Sequence, residues 1–207
     1  MRNTASSLLG VGLLLFGLTL MSAWLLGVSS WFAAAGGGPT LFNGAVCFAL
    51  TGAALATECF LRDETLRRAQ TGFAAAVALL AGLIFIEHVF DVDLGIDLAD
   101  LHRAAQEDSA HPGRVAPPTA LAFLIVATVL IGMHRVRGIA SSVVVQGATI
   151  AVFLIGLVGF GGRAVGLPLM YPESAFAGMA LFTAIGLIVT SLALGLAWRR
   201  MAWYEAR

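Results

Sequence analysis

Lysine is missing altogether from the 207 residues: the twelve basic side chains are all arginine, and charged residues make up only 12% of the chain. That share is about half the roughly 25% of soluble domains. Cysteine occurs twice, as Cys47 and Cys59. Both fall in one expected helix, about 18 Å apart along its axis, too far to pair with each other. No arginine run interleaved with aromatics occurs, so nucleic-acid binding has no support. Hydrolytic and phosphate-binding signatures are missing too: there is no G-x-S-x-G, no P-loop and no H-E-x-x-H. Gly36-Gly37-Gly38 precedes a helix but reads as a turn. No catalytic residue is expected in this chain.

What is abundant is apolar surface. Hydrophobic residues reach 59% and mean hydropathy is +0.91, above the roughly 45–50% of globular domains. A membrane-crossing helix needs about 20 mostly apolar residues. Six stretches qualify, at about 6–28, 39–60, 71–92, 117–134, 143–165 and 175–198. The first resembles a signal peptide, with Arg2 ahead of it, but its apolar core exceeds the usual span of roughly 7–15 residues and marks a retained helix. The expectation is an all-α integral membrane protein with six transmembrane helices over residues 1–198, a loop at 92–116, and 199–207 starting a connecting helix or tail.

Arginine placement orients it. Arg2, Arg62, Arg67, Arg68, Arg135, Arg137, Arg199, Arg200 and Arg207 fall on one side of six crossings, which the positive-inside rule makes cytoplasmic. Both termini are then inside. The opposite side carries Asp91, Asp93, Asp97, Asp100, Glu107 and Asp108, read as a solvated acidic loop. Trp24, Trp31, Trp198, Trp203 and Tyr171 stand near expected interfaces, as aromatic belts do.

The even-numbered stretches share a pattern: a small residue, Phe at +4 and another small residue at +8. It reads Gly44, Phe48, Gly52; then Thr119, Phe123, Ala127; then Gly178, Phe182, Gly186. Each triplet lies on one helical face, where small residues allow close backbone approach. Pro39, Pro117-Pro118 and, further upstream, Pro172 precede them, as suits a helix's first turn. Three repeated hairpins follow, with Trp24, His88 and Arg163 at equivalent positions.

Ionisable groups within a span are costly and mark functional candidates. Glu58 is near enough to an interface to reach water. Glu87 and His88, a turn from Asp91, share the depth of Arg163, which invites a structural Glu87–Arg163 ion pair, a ligand or proton site, or separate snorkelling to the interface. His88, His102 and His111 lie among carboxylates, but no H-x-x-x-H spacing supports a metal. Haem would need paired histidines at one level, and His88 and His134 fall at opposite ends. No cofactor is expected.

Leu94-Gly95-Ile96-Asp97, a variable loop, then His111-Pro112-Gly113-Arg114-Val115-Ala116-Pro117-Pro118-Thr119-Ala120-Leu121-Ala122-Phe123-Leu124 resembles a segment in the N-terminal membrane region of bacterial sensor histidine kinases and diguanylate cyclases, MASE-like in style. Val115 stands where that family has Met, and Pro118 where it has Asn. The resemblance covers about thirty residues. It implies an inner-membrane sensory input module for two-component or cyclic di-GMP signalling, coupled to a cytoplasmic kinase or cyclase output that this chain does not contain. Its partners would be the lipid bilayer, a small-molecule or lipophilic ligand, and a second copy in a homodimer. Glu87, His88, Asp91, Arg163, His102 and His111 are the candidates for stimulus contact. The alternatives are a small carrier or complex subunit, for which Gly159–Gly162 suggests a broken helix, and a haem- or quinone-binding redox protein.

Overall fold

The computed structural model describes residues 4–29, 38–57, 64–106, 109, 111–133, 138–164 and 179–205, with backbone only at 163–164 and 200–205. The protein is all-helical over these residues. Six long helices dominate: α1 (Thr4–Leu25), α2 (Phe42–Ala56), α3 (Glu64–Phe90), α4 (Pro117–Gly132), α5 (Ile139–Ala164) and α6 (Leu181–Glu205). A short turn of helix, Ala99–His102, runs into the 3-10 turn Arg103–Ala105 between α3 and α4.

Local chemistry accounts for the boundaries. α3 starts two turns before the expected Thr71, because Glu64 pairs with Arg67 at 2.6 Å and Arg68 at 3.1 Å in an exposed polar first turn. Such i,i+3 and i,i+4 pairs support a helix that hydropathy does not register. α2 starts at Phe42 instead of Pro39, since Leu41 is extended at φ −68°, ψ 154°. α4 starts at Pro117 as expected, with proline in its first turn. The expected start of the sixth span, Ala175, lies outside the described residues, as do Glu58, Cys59, His134, Trp31, Tyr171, Gly36, Gly37 and Gly178.

α1, α3, α5 and α6 are long and apolar enough to cross a membrane; α2, at 15 residues, and α4, at 16, are apolar but shorter. At 1.5 Å per residue α2 is about 22 Å long, against the roughly 30 Å hydrocarbon core. Apolar side chains also cover the outside. Leu8, Leu15 and Leu18 on α1, Val143, Val144 and Ile150 on α5, and Leu192 on α6 are exposed. Helices apolar all round suit a lipid solvent.

Consecutive helices pack as hairpins, α1 on α2, α3 on α4 and α5 on α6. Contacts of α2 with α3, α4 with α5 and α6 with α1 close the ring, and α2, α4 and α6 also meet one another. The tightest pairing is α1 on α2. Gly10 faces the Leu55–Ala56 backbone, Gly17 faces Ala45 and Ala49, and Gly52 faces Gly10 and Leu14, each with backbone where a Cβ would stand. Small residues let two backbones meet when no hydrophobic drive separates them from lipid.

At the centre, α2, α4 and α6 begin with the apolar caps Leu41, Ala116 and Ala180, whose carbonyls accept from Ala45, Ala120 and Ala184. All three alanines are fully buried. Phe48 and Phe123 stack edge-on at 4.9 Å, and Gly186 leaves room for the Phe48 ring. In α6 the Phe frame runs out of step. Phe182 is half-buried, and Leu187, fully buried, holds the place that Phe48 and Phe123 occupy counted from the helix start. α5 runs unbroken through Gly159–Gly162, so the expected interruption there is absent. Trp24 and Trp198 are buried in the two apolar clusters of the bundle.

Candidate functional site

The end of the bundle that carries residues 91–116, called here the loop end, is built on one turn used twice. α1 closes with Gly27 at φ +69° and a bond from Val28 N–H to Ala23 O at 2.9 Å. α3 closes the same way, with Asp91 at φ +49° and Val92 N–H donating to Glu87 O at 3.2 Å. This six-to-one bond around a left-handed residue is the Schellman arrangement. The residue after each accepting carbonyl then reaches across. Trp24 Nε1–H donates to Thr40 O at 2.8 Å, and His88 Nε2 donates to Val115 O at 2.7 Å. Thr40 and Val115 each stand two residues before the next helix begins. Trp24 and His88 are therefore positionally equivalent; the side chain of Arg163 lies outside the described residues.

The acidic loop folds into a cap around the buried Asp97, while Asp91, Asp93 and Asp100 stay exposed as expected. Asp97 and Arg114 form an ion pair at 3.0 Å with side chains only 7% and 6% exposed. Arg114 also donates to Val92 O at 3.0 Å. Asn43 Nδ2 on α2 donates to Ile96 O at 2.8 Å, and Gln106 Oε1 accepts from Gly113 N–H at 2.7 Å. Gly113, at φ +89°, packs so closely on Asp97 O and His102 that a Cβ would collide with both. The buried guanidinium compensates a carboxylate that would otherwise seek water. The ion pair joins the two halves of the Leu94–Asp97 and His111–Leu124 segment.

His102 is fully buried and lies 4.3 Å from the Trp24 ring. Its Nδ1–H donates to Leu98 O at 3.0 Å and its Nε2 accepts from Phe42 N–H at 3.1 Å. Those partners select the neutral imidazole, and burial pushes its pKa below the ordinary 6.5. His88 and His102 thus spend ring nitrogens on backbone. His111 is exposed, and the three histidines form no metal-ligand group among the described residues.

Three carboxylates do converge. Glu87, Asp93 and Asp97 place ligand oxygens within 4.8 Å of one another. Glu87 Oε1 accepts from Leu94 N–H at 2.9 Å, Asp93 Oδ1 from Gly95 N–H at 2.8 Å, and Asp97 Oδ2 from Arg114 Nε at 3.0 Å. Glu87 Oε2 and Asp97 Oδ1 are buried without a hydrogen-bond partner. Among the described residues the cation facing this cluster is Arg114; the side chain of Arg163, the expected partner of Glu87, lies outside them. Asp91 is exposed and serves the turn that ends α3. A groove of about 760 Å³, lined by Asp93, Asp97, Asp100, Arg103 and His111, opens beside the cluster.

A second, smaller space lies where α2, α4 and α6 begin. Thr40, Gly44, Val115, Thr119, Met179 and Thr183 surround a cavity of about 10 Å³, room for about one water. Thr183 Oγ1 donates to Thr40 Oγ1 there at 3.1 Å.

Glu87, His88 and His102 stood out in the sequence because charge in an apolar helix or loop is costly. Asp93, Asp97 and Arg114 did not. Their signal was Arg114, directly after Gly113 and one of two arginines, with Arg103, in a mainly acidic stretch. Comparison of the chain with protein-family models, with curated proteins and with solved structures finds no match.

Proposed function

We propose that the chain is a membrane-embedded sensory input module of the bacterial inner membrane. In this reading all six helices lie in the bilayer, both termini are cytoplasmic, and the loop end faces outward. A stimulus at the loop end changes helix packing, and α6 carries the change toward a kinase or cyclase output. One observation supports this most: the segment that resembles sensor kinases and cyclases folds into a cap whose bonds reach α2 and α3 at the start of α4. Asp97–Arg114 holds the cap together, His102 and Asn43 tie it to α2, and His88 ties α3 to the start of α4. A ligand shifts such an assembly only by binding two packings differently. The four helices of spanning length support the membrane placement, and the arginine distribution supports the orientation.

The test uses helix phase. Fused in frame to a diguanylate cyclase domain, the chain should set cyclic di-GMP output in cells. One alanine inserted after Arg199 rotates everything downstream by about 100°, whereas seven restore the face to within about 20°. Output should change with one and return with seven. Output indifferent to both insertions and to His88→Ala would sink the sensor reading.

A further inference from the structure

We propose that Glu87, Asp93 and Asp97 form a binding site for a hard divalent cation of the calcium class. Each carboxylate is already oriented by one donor on one of its oxygens: Leu94 N–H for Glu87, Gly95 N–H for Asp93, and Arg114 Nε for Asp97. The other oxygens of the two buried members, Glu87 Oε2 and Asp97 Oδ1, have no partner. Buried carboxylate oxygens seldom go unsatisfied, and a cation between them would engage both at once.

Charge and size agree with this. Three carboxylates against one guanidinium leave two negative charges, which one divalent ion neutralises. Calcium–oxygen distances run about 2.3–2.6 Å, so two oxygens on one ion stand at most about 4.6–5.2 Å apart. The three ligand oxygens all lie within 4.8 Å of one another, inside that limit. The donors are all oxygen, which suits calcium, magnesium or manganese over zinc. Calcium tolerates an irregular site completed by water, whereas magnesium demands a near-ideal octahedron. Asp93 is exposed and lines the groove of about 760 Å³, which gives ions and water a way in.

The repeat supplies an independent argument. Ala23 holds in α1 the place that Glu87 holds in α3, and both carbonyls close the same turn. The turn therefore needs no carboxylate, and Glu87 is an addition to it.

The site stands apart from the sensor reading, and it is tested without any signalling output. The purified full chain in detergent, stripped of metal, is titrated calorimetrically with CaCl2, and with Mn2+ followed by electron paramagnetic resonance. One saturable ion per chain is expected, with Kd on the order of 10⁻⁴–10⁻³ M, as for extracellular calcium modules. Asp93→Asn changes an exposed side chain, so the fold should persist while affinity falls at least tenfold. Asp100→Asn, on the groove but outside the cluster, should leave affinity unchanged. A flat titration for the parent chain, as when Glu87 and Asp97 share a proton instead, overturns the proposal. So does parent-like binding by Asp93→Asn, or an equal loss from Asp100→Asn.

Discussion

α2 and α4 follow two copies of one turn, yet they satisfy their first amide groups in opposite ways. A helix leaves four N–H groups without internal partners at its start. In α4, Pro117 and Pro118 remove two of these donors, and no side-chain cap is present. In α2 the cap residue Leu41 contributes no side-chain bond, and Phe42 N–H is accepted by His102 from 60 residues away. The start of α4 is thus self-contained, while that of α2 depends on the folded loop. The same architecture is fixed in one hairpin and conditional on the loop in the other.

The largest effect should come from cutting the loop's ion pair. Arg114→Ala leaves the buried Asp97 carboxylate uncompensated, a loss typically about 3–5 kcal/mol. Thermal denaturation in detergent measures it, and hydrogen exchange should rise at the amides of Phe42–Ala45 before those of Thr119–Phe123. Equal exchange at both helix starts would erase the contrast. His102→Ala strands Phe42 N–H and should cost about 1–3 kcal/mol. Phe42→Pro gives α2 the chemistry of α4, and the extended Leu41 suits a following proline. The double variant Phe42→Pro, His102→Ala should then be more stable than the sum of the single losses, by about 0.5–1 kcal/mol.

Acid should act on α2 through the same imidazole. Burial lowers the folded-state pKa of His102, so the unfolded chain binds the proton more readily. Stability is complete above the ordinary 6.5 and falls as pH drops below it, by at most about 1.4 kcal/mol per pH unit. Melting temperatures at pH 7.5 and about 5.5, compared with His102→Gln, isolate this slope, which should flatten in the variant. The smallest effect tests the two cross-turn bonds: Trp24→Phe and His88→Leu should each lose about 1 kcal/mol. A much larger loss for one would show that the turns differ in more than their sequences.

Much of the architecture could be read from residues in order. Six apolar stretches and the prolines before α4 located the helices, since lipid solvation and helix starts are local demands. The polar first turn at Glu64–Arg68 was missed because hydropathy counts only apolar residues. The third repeat slipped because small residues abound in α6, and only the helix start, with Ala184 and Leu187 counted from Ala180, sets the register. For the site, Glu87 and His88 were visible because their cost is local. Asp97 and Arg114 were not, since their meaning depends on a loop folding back over 17 residues to make one pair. Asp91 and His111 were attractive by type, but the first shapes a turn and the second faces the groove.

The bond between Phe42 and His102 also has a schedule. The ribosome finishes Phe42 sixty residues before His102, which at roughly 5–20 residues per second is about 3–12 s. For that interval the first hairpin exists without the acceptor that completes α2. The pair α1 and α2 thus lacks that bond until the loop of the second hairpin is made, which places completion of the loop end after both.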